Sequence, residues 1–166
     1  MKPVEGRAWI FGDNINTDIM APGLYFKAPM EVMALHCLEA ADPSFAAAVR
    51  PGDIIVAGRN FGVGSAREQA AMALTHLGVG AVLAVSFGRI FYRNALNFGL
   101  PALVFSESSA IAAGDLLRLD PVVGQLQNCR TGRLHTLPGL PTHLLPMVAA
   151  GGLMPWLKLR LKEERP

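Results

Sequence analysis

Charge is scarce in this sequence, and neither sign prevails. Lysine and arginine total 15 against 13 acidic residues, charged side chains make up 17% of the 166 residues, and the formal net charge is +2. Such a balance offers no basic face to offset a run of phosphates, which argues against a nucleic-acid binder. Cysteine is nearly absent. Cys37 and Cys129 stand far apart and form no C-x-x-C, so a disulfide framework, a zinc site or an iron–sulfur cluster held by this chain alone is disfavoured. No apolar run reaches the roughly 20 residues that a bilayer-spanning helix needs. The longest, 78–88 and 147–157, are short and contain glycine. The opening MKPVEGRAWIF has no hydrophobic signal segment, which points to a cytoplasmic protein. Apolar side chains, by contrast, make up 51% of the residues. At this length we expect a well-cored α/β fold, with 1–166 as one domain.

Arg7–Phe11 reads as a short strand that ends at Gly12-Asp13-Asn14. The stretch 12–29 then lacks periodicity, and an irregular segment of that length inside a compact domain is more often functional than idle. Apolar spacing predicts a helix over Met30–Ala40 and a short one over Asp42–Val49. Asp53–Ala57 and Ala81–Phe87 are continuous apolar runs of the kind that strands buried on both faces require, and Pro101–Phe105 is a third. Helical patterns follow Ser65, with Ala70, Leu74 and Leu77 on one face, and cover 88–98, with Phe91, Ala95 and Phe98 on one face. This alternation implies a parallel sheet with helices packed on it. Beyond Gly114, the runs Asp115–Asp120, Gly124–Asn128 and Arg133–Thr136 alternate and predict a smaller antiparallel meander. The tail 142–162 reads as helical, broken at Gly151-Gly152 and at Pro155.

Chemistry could sit first in the loop Gly58–Glu68, between a buried strand and a helix. Ligands of open α/β sheets bind at the carboxyl ends of strands, where a helix N-terminus offers free N–H groups. Gly62 and Gly64 permit close backbone approach, Ser65 falls near the predicted N-cap, and Arg67 could grip a carboxylate through two bonds. The same Ser65-Ala66-Arg67-Glu68 fits S-x-x-E, an ordinary capping box, so spacing alone serves a helix start equally well. The loop is no known nucleotide motif, because no lysine precedes Ser65 and Arg67 stands where a third Rossmann glycine would. A second place is Asp13–Lys27. Here Asp13, Asn16, Thr17 and Asp18 could be plain turn caps, while Tyr25 and Lys27 could add an aromatic wall and a cation. A third, the helix bearing Arg89, Arg93 and Asn94, reads as a solvated or subunit-facing surface. The histidines His36, His76, His135 and His143 show no metal-ligand spacing, and no metal site is assigned.

Taken together, GDNINTDIMAPGLYF, GRNFGVGSAREQA, AVSFGRIFYRNALNFGLP and the closing GGLMPWLK, in that order, resemble the small subunit of 3-isopropylmalate dehydratase, itself similar to the swivelling domain of aconitase. The resemblance covers nearly the whole chain and implies a swivelling β/β/α fold. It implies a heterodimeric hydro-lyase of leucine biosynthesis whose large subunit carries a [4Fe-4S] cluster on three cysteines, this chain binding no cofactor itself. The reaction it implies is dehydration and rehydration of a hydroxy-acid, from 2-isopropylmalate to 3-isopropylmalate, inactive without the large subunit. In the motif GSSRE the serine removes the proton α to a carboxylate and the arginine clamps a carboxylate, which carries over to Ser65 as catalytic and Arg67 as substrate-binding, flanked by Gly64 and Ala66. A neutral hydroxyl is a poor base and would need N–H groups and cations around it. Residues after the TD-x-I-x-P motif read the substrate's variable group, which carries over to Tyr25, Phe26, Lys27 and Ala28.

The sequence departs from this pattern at Ala66, where a second serine is usual, at Gln69 for histidine, and at Val63 for cysteine. YFKAP also differs from a typical isopropylmalate-reading loop. Homoaconitate, citramalate and 2,3-dimethylmalate therefore stay open as substrates, and a non-catalytic anion-binding module of the same fold is the reading from another class. A self-sufficient enzyme would need a nucleophile–base pair that the sequence does not display.

Overall fold

The computed structural model describes residues 1–163; the last three positions of the expected 1–166 unit lie outside the described residues. Seven strands form a single sheet in the order β4-β3-β2-β1-β5-β6-β7. Strands β1 (Val4–Phe11), β2 (Ile54–Ala57), β3 (Ala81–Ala84) and β4 (Ala102–Val104) run parallel, whereas β5 (Leu116–Asp120), β6 (Gln125–Asn128) and β7 (Leu134–Thr136) continue the sheet antiparallel. Both predicted parts are present, and β1 joins them. Its first half pairs antiparallel with β5, from Val4 against Leu119 to Arg7 against Leu116. Its second half pairs parallel with β2, from Ala8 against Ile54 to Phe11 against Ala57.

The patterning follows from what covers each face. All four residues of β2 and of β3 are buried, as strands need when both faces are covered. Ile55, Ala57, Val82 and Ala84 face one core, with Phe11, Phe61, Leu74 and Phe91. Ile54, Val56, Ala81 and Leu83 face the other, with Leu117, Leu119, Leu126, Met147 and Val148. In β5, exposed Leu116 and Arg118 alternate with buried Leu117 and Leu119, the period of a sheet solvated on one side.

The helices are α1 (Thr17–Met20), α2 (Met30–Ala34), α3 (Phe45–Ala48), α4 (Glu68–His76), α5 (Arg89–Asn97), α6 (Leu145–Ala149) and α7 (Leu153–Glu163). The segment 12–29 is irregular as expected, apart from α1 and a 3₁₀ turn at Gly23–Tyr25. The helix predicted over Met30–Ala40 stops at Ala34. Leu38 adopts φ +62°, a left-handed conformation that ends helices, and its N–H donates to the Ile19 carbonyl at 3.1 Å. The tail breaks at Gly151 and Gly152, both with positive φ. Pro155 breaks nothing. It lies in the first turn of α7, where a missing N–H costs little.

Candidate functional site

Two irregular segments leave the carboxyl ends of neighbouring parallel strands and are laced together by their backbones. Loop 12–16 follows β1, and loop 58–67 follows β2. Gly58 N–H donates to Gly12 O at 3.2 Å, Asn14 N–H to Arg59 O at 2.7 Å, Gly62 N–H to Ile15 O at 2.7 Å, and Thr17 N–H to Val63 O at 3.0 Å. Asn14 and Asn60 both sit at φ 59°, a conformation asparagine tolerates better than other residues with a side chain. The Asn60 Nδ2 amide donates to Asn14 Oδ1 at 2.9 Å, so the two turns clasp each other. Asp13 adds a carboxylate oxygen that accepts from Arg59 N–H at 2.6 Å. On the far side, Phe61 N–H donates to Ser86 O and Gly88 N–H to Phe61 O, at 2.9 and 2.8 Å, which ties the loop to the turn before α5.

Gly62 requires its lack of a side chain. Its φ is +75°, and a Cβ there would lie 2.1 Å from Phe91 Cγ. Gly64, at φ +116°, lies beside the Thr17 hydroxyl, which donates to Ser65 O at 3.2 Å.

These long-range bonds move the helix start. The cap of α4 is Arg67, not Ser65, and no side chain caps it. The predicted S-x-x-E capping box is therefore not formed. Ser65 is exposed, and among the described residues its hydroxyl has no hydrogen-bond partner. The N–H groups of Gly64, Ser65 and Ala66 are likewise unpaired among them. The hydroxyl thus lies just ahead of a helix N-terminus, on a loop whose neighbouring N–H groups have no partner among the described residues.

Arg67 is held from three sides. Its Nη1 forms an ion pair with Asp18 Oδ1 at 2.5 Å and donates to Ala21 O at 2.9 Å. Its guanidinium lies 5.9 Å from the Phe26 ring centroid, within cation–π range. Gly23 runs alongside it. One edge of the fork is thereby tied to segment 18–26, and its Nε and Nη2 make no bond to the described residues. Sequence reasoning gave Asp18 only a capping role.

Of the other predicted residues, Tyr25 is half-buried and stacks on His36, with ring centroids 3.7 Å apart and planes 8° from parallel. Lys27 is exposed and bonds to no described residue. Gly64, Ser65, Ala66 and Arg67 share one loop, and Arg67 meets Phe26, while Lys27 lies one residue past Phe26 without a recorded contact to any of them. Arg89 and Arg93 are solvated, as expected of a polar stripe, but Asn94 is buried. The donors needed for a metal cluster do not gather here. Among the described residues no three of His, Cys, Asp and Glu could hold a metal ion. Cys37 is fully buried, and that burial pushes its thiol well above the usual range, whereas Cys129 is exposed. These residues do not fit an iron–sulfur cluster.

A mixed seven-stranded sheet with helices on both faces and a glycine-rich loop between β2 and α4 defines an α/β class of domain. Residues 18–108 match the family model described as the aconitase C-terminal domain. The 3-isopropylmalate dehydratase small subunit of Nautilia profundicola is 48% identical over 99% of this chain and 100% of its own length. The methanogen homoaconitase small subunit of Methanothermobacter thermautotrophicus is 45% identical over 91% of this chain and 88% of its own. The crystal structure of 3-isopropylmalate dehydratase from Methanocaldococcus jannaschii aligns with a TM-score of 0.88 at 38% identity, covering 98% of each chain. The chain belongs to the aconitase C-terminal domain family, within its branch of 3-isopropylmalate dehydratase small subunits.

Proposed function

We propose that this chain is the small subunit of a two-subunit hydro-lyase that dehydrates and rehydrates a 2-hydroxy dicarboxylate, moving the hydroxyl to the adjacent carbon. The dehydratase names of its relatives favour 2-isopropylmalate to 3-isopropylmalate, a step of leucine biosynthesis in a cytoplasmic heterodimer. One observation carries the reading. Among the described residues, the Ser65 hydroxyl and the N–H groups of Gly64, Ser65 and Ala66 have no hydrogen-bond partner, on the same loop as an arginine whose Nε and Nη2 make no bond to them.

In this mechanism Ser65 Oγ, in its deprotonated form, takes the proton from the carbon α to a carboxylate and becomes the neutral hydroxyl. The free N–H groups of the loop and the α4 N-terminus lower the cost of negative charge on that oxygen. Arg67 grips a carboxylate through its unoccupied Nε and Nη2, with Asp18 and Ala21 O fixing the fork in advance. Ala66 supplies an N–H where the family pattern has a second hydroxyl. Departure of the hydroxyl is left to the large subunit, for which the resemblance implies a [4Fe-4S] centre. Tyr25 and Lys27, on the segment next to Phe26, meet the substituent that differs among substrates. The homoaconitase relative is the observation that keeps a longer tricarboxylate open as the substrate.

The test is kcat/KM of the reconstituted two-subunit complex over a panel of 2-substituted malates. Arg67→Lys keeps the charge but loses the fork, so activity falls about one to two decades on every accepted substrate, as for loss of a charge-assisted bond. Lys27→Ala changes the ratio between short and bulky substrates. Selective loss from Arg67→Lys and uniform loss from Lys27→Ala would reverse the two assignments. A complex inactive on the whole panel would overturn the function.

A further inference from the structure

The segment that holds Arg67 from outside, 18–26, is itself held by a group that no part of the reaction uses. Tyr25 lies flat on His36 at 3.7 Å, nearly parallel. His36 Nδ1 in turn meets Glu39 Oε2 at 2.6 Å. The turn that joins them, closed by Glu39 N–H donating to His36 O at 3.3 Å, puts the two side chains on one side. Leu38 takes φ +62°, an unfavourable conformation for a bulky side chain. That bend is fixed from below by the buried Cys37 and Leu38 side chains and by the Leu38 N–H bond to Ile19 O, in the helix that carries Asp18. The strained turn thus contacts both halves of the Arg67 support: Asp18 through α1, and Phe26 through its neighbour Tyr25.

We infer that His36, oriented by Glu39, is a positioning residue that sets the pose of the 3₁₀ turn Gly23–Tyr25 and with it the substrate discrimination of the site. The chain supports this over a merely structural stack in two ways. No residue of the turn is fully buried and Leu24 is 85% exposed, so Tyr25, which packs only in part against the core, is the one side chain of the turn that anchors it inward. The Tyr25 side chain also has no hydrogen bond to the described residues, which leaves the His36 ring as its one aromatic anchor among them. An aromatic pair of this kind shifts a local equilibrium by about two- to tenfold.

The inference rests on the function proposed above, and the experiment separates the two. In the reconstituted complex, kcat/KM is measured for a malate with a branched alkyl group at C2 and for one with a methyl group. His36→Ala is expected to change the ratio of the two by about two- to tenfold, through KM rather than kcat. His36→Phe, which keeps the flat ring, restores the ratio. Glu39→Gln, which keeps the bond but removes its charge, falls between. The chain has two tyrosines, Tyr25 and Tyr92, so 3-fluorotyrosine labelling gives two ¹⁹F resonances, assigned by Tyr25→Phe. The Tyr25 resonance should move in His36→Ala and return in His36→Phe. A wild-type complex inactive on both malates overturns the function and this inference with it. An active wild-type complex whose ratio is unmoved by His36→Ala overturns the inference alone. Equal loss on both substrates with a lowered Tm reduces the stack to a structural role and also overturns it.

Discussion

Ser65→Ala separates a helix cap from a catalytic group, because the structure gives the two roles opposite stability signatures. A serine at a working N-cap contributes about 1 kcal/mol, lost on replacement by alanine. Here the cap position is Arg67, and the Ser65 hydroxyl is exposed and bonded to no described residue. Its removal costs no hydrogen bond and opens no cavity, so the expected effect is the ordinary surface range of about ±0.5 kcal/mol. For a protein of this size that amounts to a Tm shift of about 2 °C or less. Turnover should respond quite differently. A group that takes a proton in the transition state is worth about 10²–10⁴-fold in rate. The paired assay is a thermal melt of the isolated chain and the kcat of the complex, followed by ultraviolet absorbance of the unsaturated acid formed on dehydration. Near-normal turnover would refute the catalytic assignment. A Tm drop of 5 °C or more would show that the hydroxyl is bonded in the folded protein after all.

Other outcomes follow from the same structure. In the native protein a thiol reagent should modify Cys129 and spare Cys37, whose burial both blocks access and disfavours the thiolate; two thiols should react only after denaturation, and two reacting in the folded state would contradict the buried placement. Gly62→Ala puts a methyl group 2.1 Å from Phe91 Cγ at a positive φ, so a loss of about 2 kcal/mol or more is expected in denaturant titration. Asp115, held by Arg130 against the opposing cost of burial and helped by the Ala112 N–H and Asn128, has its pKa lowered to about 2. A depressed folded pKa gives stability that is present above the unfolded value near 3.9 and lost as pH falls toward 2. Acid unfolding should therefore steepen across that window, and Asp115→Asn should flatten it.

The parts that were legible in the sequence are those where a local pattern meets a local cause. The all-apolar runs Ile54–Ala57 and Ala81–Ala84 are buried on both faces, and the alternation in Leu116–Asp120 is a half-solvated strand. Reading β1 from Arg7 missed Val4–Gly6, the residues that pair with β5, so the two kinds of sheet looked separate until Val4 was seen opposite Leu119. The start of α4 lies two residues beyond the expected one for a similar reason. Locally Ser65 is a good cap, but Thr17, 48 positions earlier, holds its carbonyl, and Asn16 bridges Val63. The helix from Met30 ends early through the Leu38–Ile19 bond, again a distant partner. The motif placed Ser65 and Arg67 on one loop, while the Asp18 that orients Arg67 becomes visible only once the two loops are laid side by side.

The place of β1 in the sheet has a consequence for the order in which the chain can be assembled. Of the seven described strands, the first in chain order is the middle of the finished sheet, with β2 on one side and β5 on the other. As the nascent chain emerges, β1 can gain its parallel neighbour once Ile54–Ala57 is out, but its other edge stays open until Leu116–Leu119 follows. During that interval Val4–Arg7 presents unpaired N–H and C=O groups, a template for another chain. Long-range pairing of this kind folds slowly and favours association while it waits. A pause in translation placed before Leu116–Leu119 has emerged from the ribosome should therefore raise aggregation of the newly made chain, whereas the same pause after it has emerged should leave the yield unchanged.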